Sequence, residues 1–188
     1  MKMMYNVIKY VKDTKAWKLE LSPAKEMKWT MRGYSDSDFA GNRDTRHSVS
    51  GFVIYLNNAP INWRSKSQRS VTLSSTKAKY VAVLELSMEI LFAAKTVEFL
   101  GMEVNYPIKV FVNNIGAIFL SKTAKKNNRT KHVDTRYHFV REYIEKGVLK
   151  VIFVKLKDNV ADIMTKNLPK QDFVRHLENL NLKNRALG

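Results

Sequence analysis

The chain has 188 residues, 45% of them hydrophobic and 11% aromatic, which is enough for one domain with a sizeable core and too apolar for a disordered segment. Lys and Arg number 33 against 17 Asp and Glu, and the net charge of +16 favours a polyanionic partner such as nucleic acid. With no cysteine there is no disulfide and no thiolate metal site, and no apolar run reaches membrane-spanning length.

Val7, Ile8 and Val11 recur at helical spacing, so a short amphipathic helix is expected to open the chain. Residues 17–21 alternate and read as a strand that ends at Ser22-Pro23. A second strand is expected over 29–39, then a polar loop over 41–47 and a β-rich run over 51–56. Asn57-Asn58-Ala59-Pro60 has turn chemistry, and 61–64 reads as the returning strand, with Trp63 alternating into the core. Trp17 and Trp29 read as core or edge packing.

Ser74 or Ser75 can cap a long helix from 76 towards Leu100 that stops at Gly101. On it Val81, Leu84, Met88, Leu91 and Phe92 recur in steps of three and four, the spacing of a core stripe. A buried strand is expected over 107–112, a helix from Ile115, a basic loop over 123–131, and a helix over 135–146 ended by Gly147. Residues 148–154 read as a strand, 159–165 as the start of another helix, and Pro169 as the opening of a last one striped by Phe173, Leu177 and Leu180. Strands first, then alternating helices and strands, predict an α/β protein with a mixed central sheet covered by helices.

Several motifs follow in one order: Gly33-Tyr-Ser-Asp-Ser-Asp-Phe-Ala-Gly41, Ser48-Val-Ser-Gly-Phe52, Leu73-Ser-Ser-Thr76, Arg129-Thr-Lys-His-Val-Asp-Thr-Arg-Tyr-His-Phe139 and Ala161-Asp-Ile-Met-Thr-Lys166. Together they resemble the ribonuclease H domain at the C-terminal end of copia-type retrotransposon Pol polyproteins, over residues 5–180. The resemblance implies a ribonuclease H-like fold with helices on both faces of the sheet. It divides the chain into an N-terminal helix and strand (1–28) left from the polymerase–nuclease connection, the nuclease-like domain (29–168), and a C-terminal helix and tail (169–188).

The activity it implies is hydrolysis of the RNA strand of an RNA–DNA hybrid by two Mg²⁺ ions roughly 4 Å apart, held by four acids. The matching positions here are Asp36, with Asp38 as reserve on the same strand face, Lys79, Asn113 and Asp162. Lys79 stands in Lys77-Ala78-Lys79-Tyr80, where the family places acid-Ala-acid-Tyr, and Asn113-Asn114 stands for its Asp-Asn. Only Asp36 and Asp162 remain to bind any metal. The exchanges shift the formal charge of the site by three units towards positive. Each unit-charge interaction near 4 Å is worth about 4 kcal/mol at an effective dielectric near 20. Glu85 lies about 9 Å further along the helix on another face, and Asp134 belongs to a segment with no expected metal role.

No productive metal site is therefore expected, and no cofactor. The active Mg²⁺-dependent ribonuclease H is the alternative reading. Arg43, Arg46, Arg64, Lys66, Arg129, Lys131, His132 and Arg136 are the candidate contacts to RNA or an RNA–DNA hybrid. Each has a competing reading as a solvated basic surface. A structural place in a larger ribonucleoprotein or protein complex is the other partner reading. The compartment is left open.

Overall fold

The computed structural model describes residues 2–21, 28–41, 44–122 and 131–184, the side chains of 2, 3 and 131–137 excepted. Its elements are α1 (Lys2–Thr14), β1 (Trp17–Leu19), β2 (Trp29–Asp38), β3 (Val49–Leu56), β4 (Ala59–Ser67), α2 (Ser75–Phe99), β5 (Val104–Val112), α3 (Ile115–Lys122), α4 (Lys131–Glu145), β6 (Leu149–Phe153), α5 (Lys170–Asn179) and β7 (Leu182–Asn184). Two short 3-10 helices, Leu156–Asp158 and Val160–Met164, lie between β6 and α5.

Five strands form one sheet in the order β4-β3-β2-β5-β6. β4, β3 and β2 run antiparallel, and β2, β5 and β6 run parallel. The mixed character follows from the connections: a ten-residue segment joins β2 to β3 and a two-residue turn joins β3 to β4, whereas β5 and β6 are each reached through helices. One face packs against α2, α3 and α4 over a core that includes Phe52, Ile54, Leu86, Ile90, Ile108, Val110 and Leu149. The opposite face carries Val53 and Tyr55, covered by Val160 of the second 3-10 helix and by Leu180. β3 is thus apolar on both sides, which explains its unbroken hydrophobic run. Helices therefore lie on both faces, as expected.

β1, within the strand expected over 17–21, pairs antiparallel with β7 in a separate two-stranded ribbon; the three-residue β7 and this pairing are not revealed by the sequence patterning. α1 holds Tyr10 edge-on to Phe173 with ring centroids 6.2 Å apart.

Several expectations need correction. α2 buries Tyr80, Val83, Leu86, Ile90, Ala94 and Val97 together with Leu84 and Leu91, but Met88 and Phe92 of the expected stripe are exposed, Phe92 by 72%. Two apolar stripes share this helix, and periodicity alone does not say which meets the sheet. Trp63 is also exposed, at 52%, because β4 is the sheet edge and nothing described packs over that position. Residues 160–164 form a 3-10 helix rather than the first turn of an α-helix. α4 begins at Lys131, four residues before the expected start, and the rest of the expected basic loop lies outside the described residues. Ser74 caps α2 by accepting from the Lys77 amide at 3.2 Å, and Gly101 ends it at φ +80°, a conformation costly for other residues.

The two faces of α2 make opposite predictions. Leu86→Ala should cost about 2–5 kcal/mol of unfolding free energy, and Phe92→Ala in dilute solution less than about 0.5 kcal/mol. Urea titration of both variants checks the assignment.

Candidate functional site

β2 carries Asp36 to the end of the sheet where β5 finishes and α2 begins, and the site assembles there. Asp36 is fully buried. Its Oδ1 accepts from Lys79 Nζ at 2.5 Å. Its Oδ2 accepts from Thr165 Oγ1 at 2.6 Å and lies 3.1 Å from Lys166 Nζ. Lys79 also donates to Asn113 Oδ1 at 2.6 Å. Lys166 reaches Asp162 Oδ2 at 3.1 Å. The four positions singled out in the sequence thus converge, linked through two lysines.

Local structure explains the placement. Lys79 is the fifth residue of α2, whose first turn contains no acid. The cation there is held by Asp36 and Asn113. Gln68 pins that end of the helix by donating to Ser50 Oγ at 2.8 Å and to the Ala78 carbonyl at 2.9 Å. Asn113 and Asn114 divide the work at the end of β5: one accepts from Lys79, the other accepts from the Ala117 amide at 2.7 Å and starts α3. Asn159 donates to the Ser35 carbonyl at 3.0 Å and so fastens the 3-10 helix bearing Asp162 to β2. Gly51 allows this approach, since a Cβ there would lie 2.6 Å from Met164 Cβ and 2.7 Å from Thr165 Cγ2.

The charges are unevenly shared. Burial pushes the Asp36 carboxyl up, but Lys79, Thr165 and Lys166 outweigh it and hold the pKa at about 2. Asp162 is pushed up to about 6 by burial and by the charge of Asp36, which Lys166 only partly offsets. Burial lowers the Lys166 ammonium, yet the two carboxylates prevail and raise it.

The donor set does not fit the pair of Mg²⁺ ions that the resemblance implies. Both oxygens of Asp36 are occupied, and Asp162 Oδ1 is the one site carboxylate oxygen left buried without a hydrogen-bond partner. Among the described residues no group of three or more His, Cys, Asp or Glu could hold a metal ion. Asp38, the reserve acid, stands apart from this network, its carboxylate folded towards Gly41. Glu85 faces Arg64 at 3.6 Å.

The candidate nucleic-acid contacts are scattered. Arg64 bonds Glu89 at 3.0 Å and lies over the Phe52 ring. Lys66 and Arg46 are exposed. Lys131, His132 and Arg136 lie on α4 with side chains outside the description, as do Arg43 and Arg129 entirely. Sequence reasoning gave no role to Thr165, Lys166 or Gln68. The signal for the first two was their spacing of three and four from Asp162, which returns them to its side of a helical turn.

No family model matches the chain. It is 35% identical over 144 residues to the retrovirus-related Pol polyprotein from transposon RE2 of Arabidopsis thaliana, covering 77% of this chain and 10% of that one. It is 36% identical over 143 residues to the corresponding polyprotein from transposon TNT 1-94 of Nicotiana tabacum, covering 76% and 11%. The chain therefore spans about a tenth of the length of these relatives. Among solved structures, LC11-RNase H1 in complex with an RNA/DNA hybrid aligns with a TM-score of 0.51 at 16% identity, over 72% of this chain and 94% of that one. The N-terminal RNase H domain of a Mycobacterium tuberculosis protein aligns at 0.50 and 11% identity, over 81% and 98%. At such identities the likeness establishes the fold.

Removing the ammonium by Lys79→Met leaves a buried carboxylate with Lys166 and Thr165 alone. It should destabilise the protein by about 3 kcal/mol at pH 7, measured by chemical denaturation. The folded pKa of Asp162 lies above its unfolded value of about 3.9, so the stability this group contributes is full below pH 4 and lost as pH rises towards 6. Asp162→Asn should therefore gain on the parent protein between pH 4 and 7, by on the order of 1–3 kcal/mol in urea titrations.

Proposed function

The chain is homologous to a segment of copia-type retrotransposon Pol polyproteins and has a ribonuclease H-like fold; from that footing we propose that it acts without catalysis, as a basic nucleic-acid-binding domain. The observation that carries the loss of catalysis is the Lys79 ammonium bonded to both Asp36 and Asn113. A divalent ion entering there must displace an ammonium from a buried carboxylate while meeting its repulsion. Two ammoniums and two carboxylates balance within the site, so the pull on a further cation is weak. With no metal to orient and activate a water, the remaining groups hold one another: Lys79 and Lys166 keep Asp36 ionised, and Thr165 donates a further hydrogen bond to its Oδ2.

Binding rests on the net charge of +16 and on where its accessible part lies. Lys66 is in register with Ser50, and Ser50 with Ser37, so Lys66 stands level with Ser37, the residue after Asp36, two strand spacings (about 10 Å) away. Arg46 lies in the loop joining β2 to β3 at the same end of the sheet. Arg64 is neutralised by Glu85 and Glu89 and contributes less. The RNA/DNA hybrid held by LC11-RNase H1 makes a hybrid the natural first ligand to test.

A labelled RNA–DNA hybrid incubated with the protein in Mg²⁺ or Mn²⁺ should remain uncut, and Lys79→Glu/Asn113→Asp should restore metal-dependent cleavage. Hydrolysis by the unmodified protein overturns the inactive reading. In anisotropy titrations, affinity for the same hybrid should fall with salt at a log–log slope of about −0.9 per phosphate contact on a duplex. A flat response would remove nucleic acid as the ligand and leave a protein partner.

A further inference from the structure

The outer face of α2 is apolar as well as the inner one. Met88, Phe92 and Phe99 project from it with 47%, 72% and 90% of their surface exposed. Together with Val81, Glu85 and Lys95 they occupy positions 81, 85, 88, 92, 95 and 99. The steps alternate between four and three, the repeat of a helix-pairing seam. Val81 and Met88 also line a cavity of about 510 Å³ shared with Leu84 and Phe139.

We propose that this seam pairs antiparallel with the same helix of a second copy of the chain. A two-fold axis level with position 90 brings residue i opposite residue 180 − i. Val81 then meets Phe99 of the second copy, Met88 meets Phe92, and Glu85 meets Lys95. Every apolar position receives an apolar partner, and the two polar positions receive each other with opposite charge. A parallel pair would set Glu85 against Glu85 and Lys95 against Lys95. Lys95 has no ion-pair partner among the described residues, and the nearest cation to Glu85 is Arg64 at 3.6 Å. Phe99, the most exposed aromatic described, lands beside Val81, at the cavity lined by Leu84, Met88 and Phe139. Knob and hole belong to one surface, which is what a closed two-fold contact requires. The seam from 81 to 99 is about 27 Å long.

Charge separates this association from one bridged by nucleic acid. Two chains of +16 repel, so added salt screens the repulsion and strengthens an apolar pairing. Bridging through phosphates weakens with salt.

Sedimentation of the nuclease-treated protein from low micromolar to millimolar concentration should show its mass rising towards twice the monomer, more steeply at higher salt. Phe99→Ser and Lys95→Glu should each weaken the association by about tenfold or more. Because the chain has no cysteine, orientation can be read by oxidative cross-linking. An equimolar mixture of Met88→Cys and Phe92→Cys should link into heterodimers more readily than either variant alone. A monomer at every concentration, an association indifferent to Phe99→Ser, or cross-linking strongest within a single variant overturns the proposal.

Discussion

An ionised carboxylate with no exposure to water survives only if cations or hydrogen-bond donors stand in for its hydration, and Asp36 is such a group. Stripping a carboxylate of its hydration costs several kcal/mol even after the surroundings relax. In a metal-dependent site of this fold, divalent ions would offset that cost. Here Lys79 and Lys166 do so, with Thr165 supplying a neutral donor. These cations belong to the chain itself. Asp162 bears the remainder, since its neighbour's charge and its own burial favour the proton.

This pair constrains elements far apart in sequence. The start of α2, the end of β2, the end of β5 and the 3-10 helix after β6 must all arrive within a few ångströms of one carboxylate. Buried polar side chains fasten two of them: Gln68 holds the helix start to β3, and Asn159 holds the 3-10 helix to β2. α2 serves three ends at once. Its first turns deliver Lys79, its inner stripe fills the core, and its outer stripe lies open to solvent. A helix that buried both stripes would need a further layer, and none of the described elements supplies one.

Much of the molecule was legible in the order of residues. The long helix, its serine cap and Gly101 stop, the β-rich run of β3 and the turn between β3 and β4 follow from local patterning. The positions 36, 79, 113 and 162 could be matched through flanking motifs, but whether the cation at 79 would pair with Asp36 or Asp162 could not be read from them. The rest was hidden for identifiable reasons. Apolar periodicity is blind to direction, so the outward Met88 and Phe92 looked like core. Trp63 alternates properly for a strand, but its exposure depends on β4 being an edge. The β1–β7 ribbon joins segments separated by more than 160 positions through three-residue strands.

By its order of residues alone, the chain settled which side chains of which charge occupy each motif, and therefore that a cation and an amide stand where acids were expected. Tertiary structure alone decided which atoms those groups hold: that Lys79 clasps Asp36 and Asn113 together, that Lys166 joins Asp36 to Asp162, and that Arg64 turns to Glu89. Charge is a property of a residue and travels with the sequence. Hydrogen-bond partnership depends on distances of about 3 Å between strands and helices remote along the chain, and those distances exist only once the sheet and α2 have packed.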